Sequence, residues 1–185
     1  MGLRGRSNFK DEGGTFFVTT TVMNFDKIFG LGDSYCDILL GSLKHVIAEH
    51  KAALFAYVFM PSHCHFVIAM PEGESISDLM KDFKKFTSTK VRQQLEIDNR
   101  RSLVERLRAN SPRRKGQVFK LWMDRFDDVV IYSEDVLRIK IEYIHNNPVK
   151  AGLAEFPEQW KYSSARNYFL GDQSMIYVET DWRNF

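Results

Sequence analysis

Two histidines stand two residues apart in the phrase MPSHCHFVI. His63 and His65 flank Cys64 at the start of an apolar run. Because alternate residues of an extended segment point to the same side, both imidazoles are predicted to face one point while Cys64 faces the opposite way. Two such imidazoles can bind a divalent cation and leave room for a phosphate oxygen that the cation would polarise. Taken alone, the motif is also compatible with two structural histidines at a hairpin.

A tyrosine and an asparagine stand four residues apart in the phrase YIHNNPVKAGL. Tyr143 and Asn147 are predicted to share one face of a helix, so a phenol and an amide oxygen could meet the same metal-bound phosphate. Tyrosine can act as a covalent nucleophile, and Tyr132 is the second candidate for that role. The structural alternative is a tyrosine at the rim of the core and an ordinary asparagine ahead of the helix-ending Pro148.

Composition excludes several classes of protein. The chain has 185 residues, of which 44% are hydrophobic and 14% aromatic, enough for one packed domain and too many for a disordered chain. No apolar run approaches the ~18 residues of a membrane span, and the N-terminal MGLRGRSNFK lacks the apolar stretch of a secretory signal. Two cysteines are too few for a disulfide framework. We therefore expect a soluble cytoplasmic protein.

Positive charge is concentrated in one stretch of the chain. Between Lys81 and Lys115 there are twelve Lys or Arg against four Asp or Glu, a local excess of +8 in a chain whose net charge is +2. Such a stretch suits a polyanion, because each cation placed on a phosphate releases condensed counterions. A solvated helix face followed by a basic loop is the alternative.

The hydrophobic pattern predicts an alternation of strands and helices. Strands are predicted at 15–23, 54–60, 65–70 and around 118–123. Helices are predicted at 35–50, from Ile76 to an end left open as far as Leu107, and from Glu134 to about Asn146. Pro148 is expected to stop the last of these helices. This order predicts an α+β fold: a ferredoxin-like antiparallel sheet with its helices packed on one face. We expect a single domain over 1–185, with a basic N-terminal arm at about 1–14 and a C-terminal packing tail at about 151–185.

The two phrases, in this order and around this fold, resemble a known family. The chain is similar to the single-tyrosine HUH transposases and, within them, to the REP-associated tyrosine transposases. Besides the two phrases, the resemblance rests on Phe17-Val-Thr-Thr20, the Trp122…Phe126-Asp127 segment and Trp160-Lys-Tyr-Ser-Ser164, and it covers about 15–164.

The resemblance implies a reaction and assigns roles to residues. His63, His65 and Asn147 would hold Mg2+ or Mn2+, and Tyr143 would attack the scissile phosphate of single-stranded DNA, giving a 5′-phosphotyrosine and a free 3′-OH. The implied function is a metal-dependent single-strand endonuclease and strand transferase acting on hairpin-forming repeats of the REP type. Cys64 departs from the family, which usually has a bulkier aliphatic residue there. We expect a bacterial, nucleoid-associated protein, either a monomer or a homodimer, whose partner is single-stranded or hairpin DNA.

Under this hypothesis the basic residues contact the DNA backbone. The expected DNA-binding residues are Arg4, Arg6, Lys81, Lys84, Lys85, Lys90, Arg92, Arg113, Arg114 and Lys115. Three other functions stay open from the sequence: a transposase that mobilises its own element, a catalytically silent hairpin-binding protein, and a metal-binding ferredoxin-like protein without a nucleic-acid role. The local charge excess disfavours the last of these.

Overall fold

The computed structural model describes residues 13–111 and 119–182. A four-stranded sheet forms its centre, and helices pack against it. The elements are β1 (Gly14–Thr21), α1 (Asp33–Glu49), β2 (Ala53–Met60), β3 (His63–Met70), α2 (Ile76–Ile97), α3 (Arg101–Ala109), β4 (Asp127–Ile131), α4 (Glu134–Lys150) and α5 (Ala165–Leu170). No helix among these residues is both long and apolar enough to cross a lipid bilayer.

The sheet has the order β2-β3-β1-β4, and every neighbouring pair is antiparallel. This is the order that a βαββαβ chain gives in a ferredoxin-like sheet, so the predicted α+β fold class is confirmed. The turn between β2 and β3 is only Pro61-Ser62, shorter than predicted, because His63 already pairs with both Met60 and Thr21. The histidine motif therefore lies on the strand itself.

Each face of the sheet has its own apolar core, because alternate strand residues point to opposite faces. Phe16 and Val18 of β1 belong to the core that α1 and α2 cover, whereas Phe17 belongs to a second core with Leu137 and Ile141 of α4. The expectation that the helices lie on one face holds for α1 and α2 but is wrong for α4. The apolar stripe of α4 fills the other face, which would otherwise be exposed.

The predicted strand around 118–123 is misplaced. Val118 lies outside the described residues, and Trp122 makes only an isolated bridge to Val22. Leu121 and Trp122 are apolar because they pack in the core, not because they form a strand. The fourth strand is β4, whose leading pair Asp127-Asp128 is tolerated because the strand lies at the edge of the sheet.

The sequence left the end of one helix open and placed the end of another too early. α2 ends at Ile97, and α3 starts separately at Arg101 after Asn99, which has a positive φ of 55°. α4 begins as predicted, with the Ser133 hydroxyl accepting a hydrogen bond from the Val136 N–H at 3.3 Å. It then continues through Pro148 to Lys150, so Pro148 does not end it. Asn147 consequently stays helical, one turn after Tyr143.

The segment after α4 packs on the sheet. Ile176 and Val178 are buried in the core with α1, and the Glu179 N–H donates to the Leu54 carbonyl at 2.8 Å. Ser163 bridges to Val58. The C-terminal segment therefore covers the outer edge of β2.

Candidate active site

His63 and His65, at the start of β3, point to the same face of the sheet, as alternate residues of a pleated strand do. The ring centroids of His63 and His65 lie 4.8 Å apart, on the face that α4 covers. Cys64 points the other way into the core with α1 and α2 and is fully buried. Its small apolar side chain therefore packs without reaching the histidines.

His65 is held on two sides. Its ring stacks on Phe17 with centroids 5.5 Å apart, and its Nδ1 lies 2.8 Å from the Thr19 hydroxyl. With Nδ1 protonated, that N–H donates to Thr19 Oγ1 and the lone pair of Nε2 is left free. Nε2 is buried and has no hydrogen-bond partner among residues 13–111 and 119–182. A buried, unpartnered imidazole nitrogen oriented by a bond at its other nitrogen is what a metal-ligating histidine requires.

The surroundings keep both imidazoles neutral. Burial, with smaller contributions from the charges of His63 and Lys140, lowers the pKa of His65 to about 3. Burial also lowers the pKa of His63, although a hydrogen bond with the Asn147 side chain partly opposes that shift. The neutral imidazole is the form that binds a metal ion. The donor set therefore fits a divalent cation at neutral pH.

Tyr143 and Asn147 reach the histidines from α4. The Tyr143 ring lies 5.3 Å from the His65 ring and 5.8 Å from Phe17, in edge-on contact with both. Tyr143 is 40% exposed, so a substrate can reach it, and the Asn147 side chain bonds to His63. The structure thus brings together the four residues that the two phrases singled out. Tyr132, the second candidate nucleophile, is 82% exposed at the end of β4 and has no ring contact with the histidines in the described parts of the chain.

Two lysines that sequence reasoning missed border this site. The Lys140 ammonium lies 4.6 Å from the centre of the Phe17 ring, and that of Lys150 lies 5.8 Å from the centre of the Tyr143 ring. Lys140, Tyr143, Asn147 and Lys150 follow the spacing i, i+3, i+7, i+10 and therefore form one stripe along α4. Because this helical spacing can be read from the sequence, both lysines could have been predicted to border the site.

The expected DNA-binding residues of α2 are not part of this site. α2 packs on the opposite face of the sheet, where Lys81, Lys85 and Lys90 are exposed and Arg92 is half-buried. Lys84 is half-buried, and its ammonium donates to the carbonyls of Met123 at 2.9 Å and Arg125 at 3.2 Å. The other expected residues lie outside the described part of the chain: Arg4, Arg6, Arg113, Arg114 and Lys115.

Comparison with known proteins decides the family. The model of the IS200-like transposases matches residues 32–147, which is more than half of the chain and includes both histidines, the tyrosine and Asn147. The chain belongs to the IS200-like transposase family. It is therefore an enzyme of a metal-dependent transposase group.

Two further matches confirm the resemblance to REP-associated tyrosine transposases. The transposase is 26% identical over 179 residues to a REP-associated tyrosine transposase of Haemophilus influenzae, covering 95% of this chain and 93% of that one. A solved REP-associated tyrosine transposase bound to a REP hairpin has 21% identity and a TM-score of 0.65, with 95% and 92% of the two chains covered. The second match shows the shared fold.

Proposed function

We propose that this transposase nicks and rejoins single-stranded DNA at hairpin-forming repeats of the REP type. The observation that carries the proposal is the free, buried Nε2 of His65 beside His63, with the accessible Tyr143 ring 5.3 Å from His65. A metal-binding face and a candidate nucleophile thus meet at one point of the surface.

His63, His65 and the Asn147 amide oxygen would hold Mg2+ or Mn2+. In the described parts of the chain no three His, Cys, Asp or Glu side chains cluster as a metal site, so the third protein donor is an amide. When bound, the cation supplies Lewis-acid polarisation of the scissile phosphate. Water and phosphate oxygens would take the remaining ligand positions, as is usual for Mg2+.

Tyr143 performs the covalent step. Its hydroxyl oxygen forms a bond to phosphorus as the bond from phosphorus to the 3′ oxygen breaks, which gives a 5′-phosphotyrosine. The phenol proton leaves to solvent, and the departing 3′ oxygen takes a proton from solvent to become a 3′-OH. Attack of a 3′-OH on the phosphotyrosine reverses the exchange, restores Tyr143 and rejoins the strand.

Lysines border the reacting groups and would hold the phosphates on either side. Lys140 and Lys150 stand at the two ends of the α4 stripe, next to Phe17 and Tyr143. Ammonium groups there would bind phosphate oxygens by charge-assisted hydrogen bonds and keep the scissile phosphate in line with the tyrosine. Further along the DNA, contacts would come from the exposed cations of α2 and from the expected basic residues outside the described chain.

The hairpin substrate is supported by the relatives. A solved transposase with this fold was bound to a REP hairpin, and the Haemophilus influenzae protein is a REP-associated transposase. We also propose action in cis by a monomer, because Tyr143 lies against His65 of its own chain. Such a protein would work at the bacterial nucleoid in the cytoplasm.

Trapping the covalent intermediate tests the proposal. A labelled hairpin with single-stranded flanks is incubated with the protein and Mn2+, with and without chelator, and run on a denaturing gel. We expect a chelator-sensitive protein–DNA band that Tyr143→Phe abolishes while hairpin binding persists. The matched control is Tyr132→Phe, which should keep the band. Hairpin binding without any adduct would identify a silent binding protein, and an adduct that survives Tyr143→Phe would remove Tyr143 as the nucleophile.

A further inference from the structure

A cavity of about 540 Å3 lies outside the catalytic face, between α2 and the segment that leads to β4. Its walls combine cations with aromatic rings. They include Lys81, Lys84, Lys85, Lys120, Trp122 and Phe126. The volume is within the ~300–1,000 Å3 of ordinary ligand pockets and admits a base with its sugar.

Three lysines give the cavity cationic groups that can bind an anion. Lys84 donates to two carbonyl groups and so keeps one of its three ammonium hydrogens for a further acceptor. Burial lowers the pKa of Lys84 to about 8, and a nearby phosphate would offset that effect. Lys81 and Lys85 line the same cavity and are exposed. Lys81 forms a solvent-exposed ion pair with Asp78 at 3.4 Å, a weak interaction that a phosphate can displace, and the carboxylate in the cavity wall, Asp124, is bound by Lys120 at 2.7 Å.

Aromatic rings also line the cavity. The Lys84 ammonium lies 5.6 Å from the centre of the half-buried Phe126 ring. Trp122 is fixed by its indole N–H, which donates to the Thr87 hydroxyl at 2.9 Å. Cations beside fixed aromatic rings are the combination that binds single-stranded nucleic acid, because phosphate and base are both accommodated.

Strand pairing places this cavity near the catalytic histidines. His63 pairs with Thr21, and the Met123 N–H donates to the Thr21 carbonyl at 2.9 Å. With strands ~4.8 Å apart, the cavity wall at Met123 is about 10 Å from the His63 backbone. The two sites are on opposite faces at the same end of the sheet. A strand leaving the catalytic face can therefore enter the cavity by passing over that end.

We propose that this cavity is a nucleotide subsite for the single strand that flanks the nick. Lys81, Lys84 and Lys85 bind the phosphate, and the base and sugar enter beside Phe126, where the almost fully buried Trp122 forms part of the wall. The subsite rests on the proposed function, since its occupant is part of the DNA that Tyr143 would cut. It would give the transposase a contact with the flank that does not depend on the hairpin.

An abasic scan of the flank tests the subsite by binding alone. Each flanking nucleotide of the hairpin substrate is replaced in turn by an abasic nucleotide, and affinity is measured without metal, so that no cleavage occurs. For the unmodified protein we expect one position at which base removal weakens binding about tenfold, the size of a lost base contact. The double variant Lys81→Ala/Lys85→Ala should weaken binding of flanked DNA, lose its sensitivity at that position and bind a flankless hairpin normally. Its salt slope should fall by about 0.7 for each lost phosphate contact.

The matched control removes two exposed lysines elsewhere. Lys44→Ala/Lys51→Ala, at the other side of α1, should preserve both the affinity and the abasic profile. An abasic profile that is the same in the unmodified protein and the Lys81/Lys85 variant would overturn the subsite. If the Tyr143 adduct forms normally in that case, the proposed function stands and only the subsite fails; if no adduct forms in any protein, the proposed function itself fails.

Discussion

His63 and His65 of the candidate active site and His50, which follows α1, are all largely buried. The charged groups near them differ in sign: a lysine lies near the active-site pair, and carboxylates flank His50. Lys140 lies near His65, and burial lowers the pKa of both His63 and His65. His50 instead has a carboxylate on each nitrogen, Glu74 at 2.8 Å from Nδ1 and Asp82 at 3.3 Å from Nε2. We call these three residues the His50 clamp. Burial opposes its protonation, but the two carboxylates outweigh burial and raise the pKa of His50.

The difference shows what a histidine needs for each role. A histidine that joins elements serves best as a cation between carboxylates, and the His50 clamp ties the end of α1 to α2 and to the turn before it. A histidine that binds a metal must stay neutral. Around His63 and His65 the neighbouring polar groups are accordingly the Asn147 amide and lysines, in place of carboxylates. A site of this kind would hold a bare cation weakly and would gain affinity when DNA phosphates complete the coordination. Metal and DNA should therefore bind cooperatively.

The largest effect expected is the loss of the metal site. His65→Ala should remove Mn2+ binding and lower the nicking rate about 100-fold or more, since Lewis-acid polarisation contributes several kcal/mol. His50→Ala should preserve Mn2+ binding and the nicking rate but lower the melting temperature. Calorimetric titration of Mn2+ in the presence of hairpin DNA, together with adduct rates, measures this. Unchanged Mn2+ affinity in folded His65→Ala would remove this histidine from the ligand set.

A smaller loss is expected from the amide ligand. Asn147→Ala should raise the Mn2+ concentration for half-maximal nicking about 10- to 100-fold, because a weaker ligand set remains and His63 loses its partner. The neighbouring Asn146 is a matched control, since it is exposed and donates to the Glu142 carbonyl at 2.9 Å. Asn146→Ala should leave the Mn2+ dependence unchanged. Equal shifts in the two variants would argue for a loss of helix stability in place of a lost ligand.

Changing the charges that border the site should have a still smaller effect. Lys140→Ala and Lys150→Ala should each lower kcat/KM for nicking about tenfold, the size of one lost charge-assisted hydrogen bond. Arg138→Ala removes a cation of α4 that is already bound to Glu142 at 3.2 Å, and it should change little. Initial rates at several DNA and salt concentrations separate these variants. A common decrease in all three would indicate a general electrostatic effect and no specific phosphate contact.

Much of the site could be predicted from the sequence because its spacing is local. His63 with His65, and Tyr143 with Asn147, are pairs whose common orientation follows from the period of one strand and one helix. The fold order followed from the same periodicity. β4 was missed because Asp127-Asp128 does not alternate with apolar residues as a half-buried strand does, and an edge strand needs no such pattern.

Contacts between distant parts of the chain could not be predicted in this way. Tertiary packing keeps α4 helical through Pro148, although the local preference of the residue before proline is against it. The face of the sheet that α4 covers is likewise set by the core that it forms with Phe17. The hydrophobic pattern of the α4 sequence does not specify that face. The His50 clamp joins residues 24 and 32 positions apart, and no local period relates them.

The smallest effect expected is a pH-dependent change in stability from the His50 clamp. The folded-state pKa of His50 is above its ordinary value of about 6.5, so its contribution is fully present below that pH and is lost as the pH rises through the folded-state pKa. His50→Gln should therefore lower the free energy of unfolding by about 1 kcal/mol near pH 6 and by less near pH 9, a modest value because both carboxylates are partly exposed. Urea unfolding at several pH values measures the difference in the free energy of unfolding between the unmodified protein and His50→Gln. The contributions of the other histidines largely cancel in this difference. Glu74→Gln removes one partner and should reproduce part of the same trend, whereas a difference that grows with pH would show that His50 is not held as a cation.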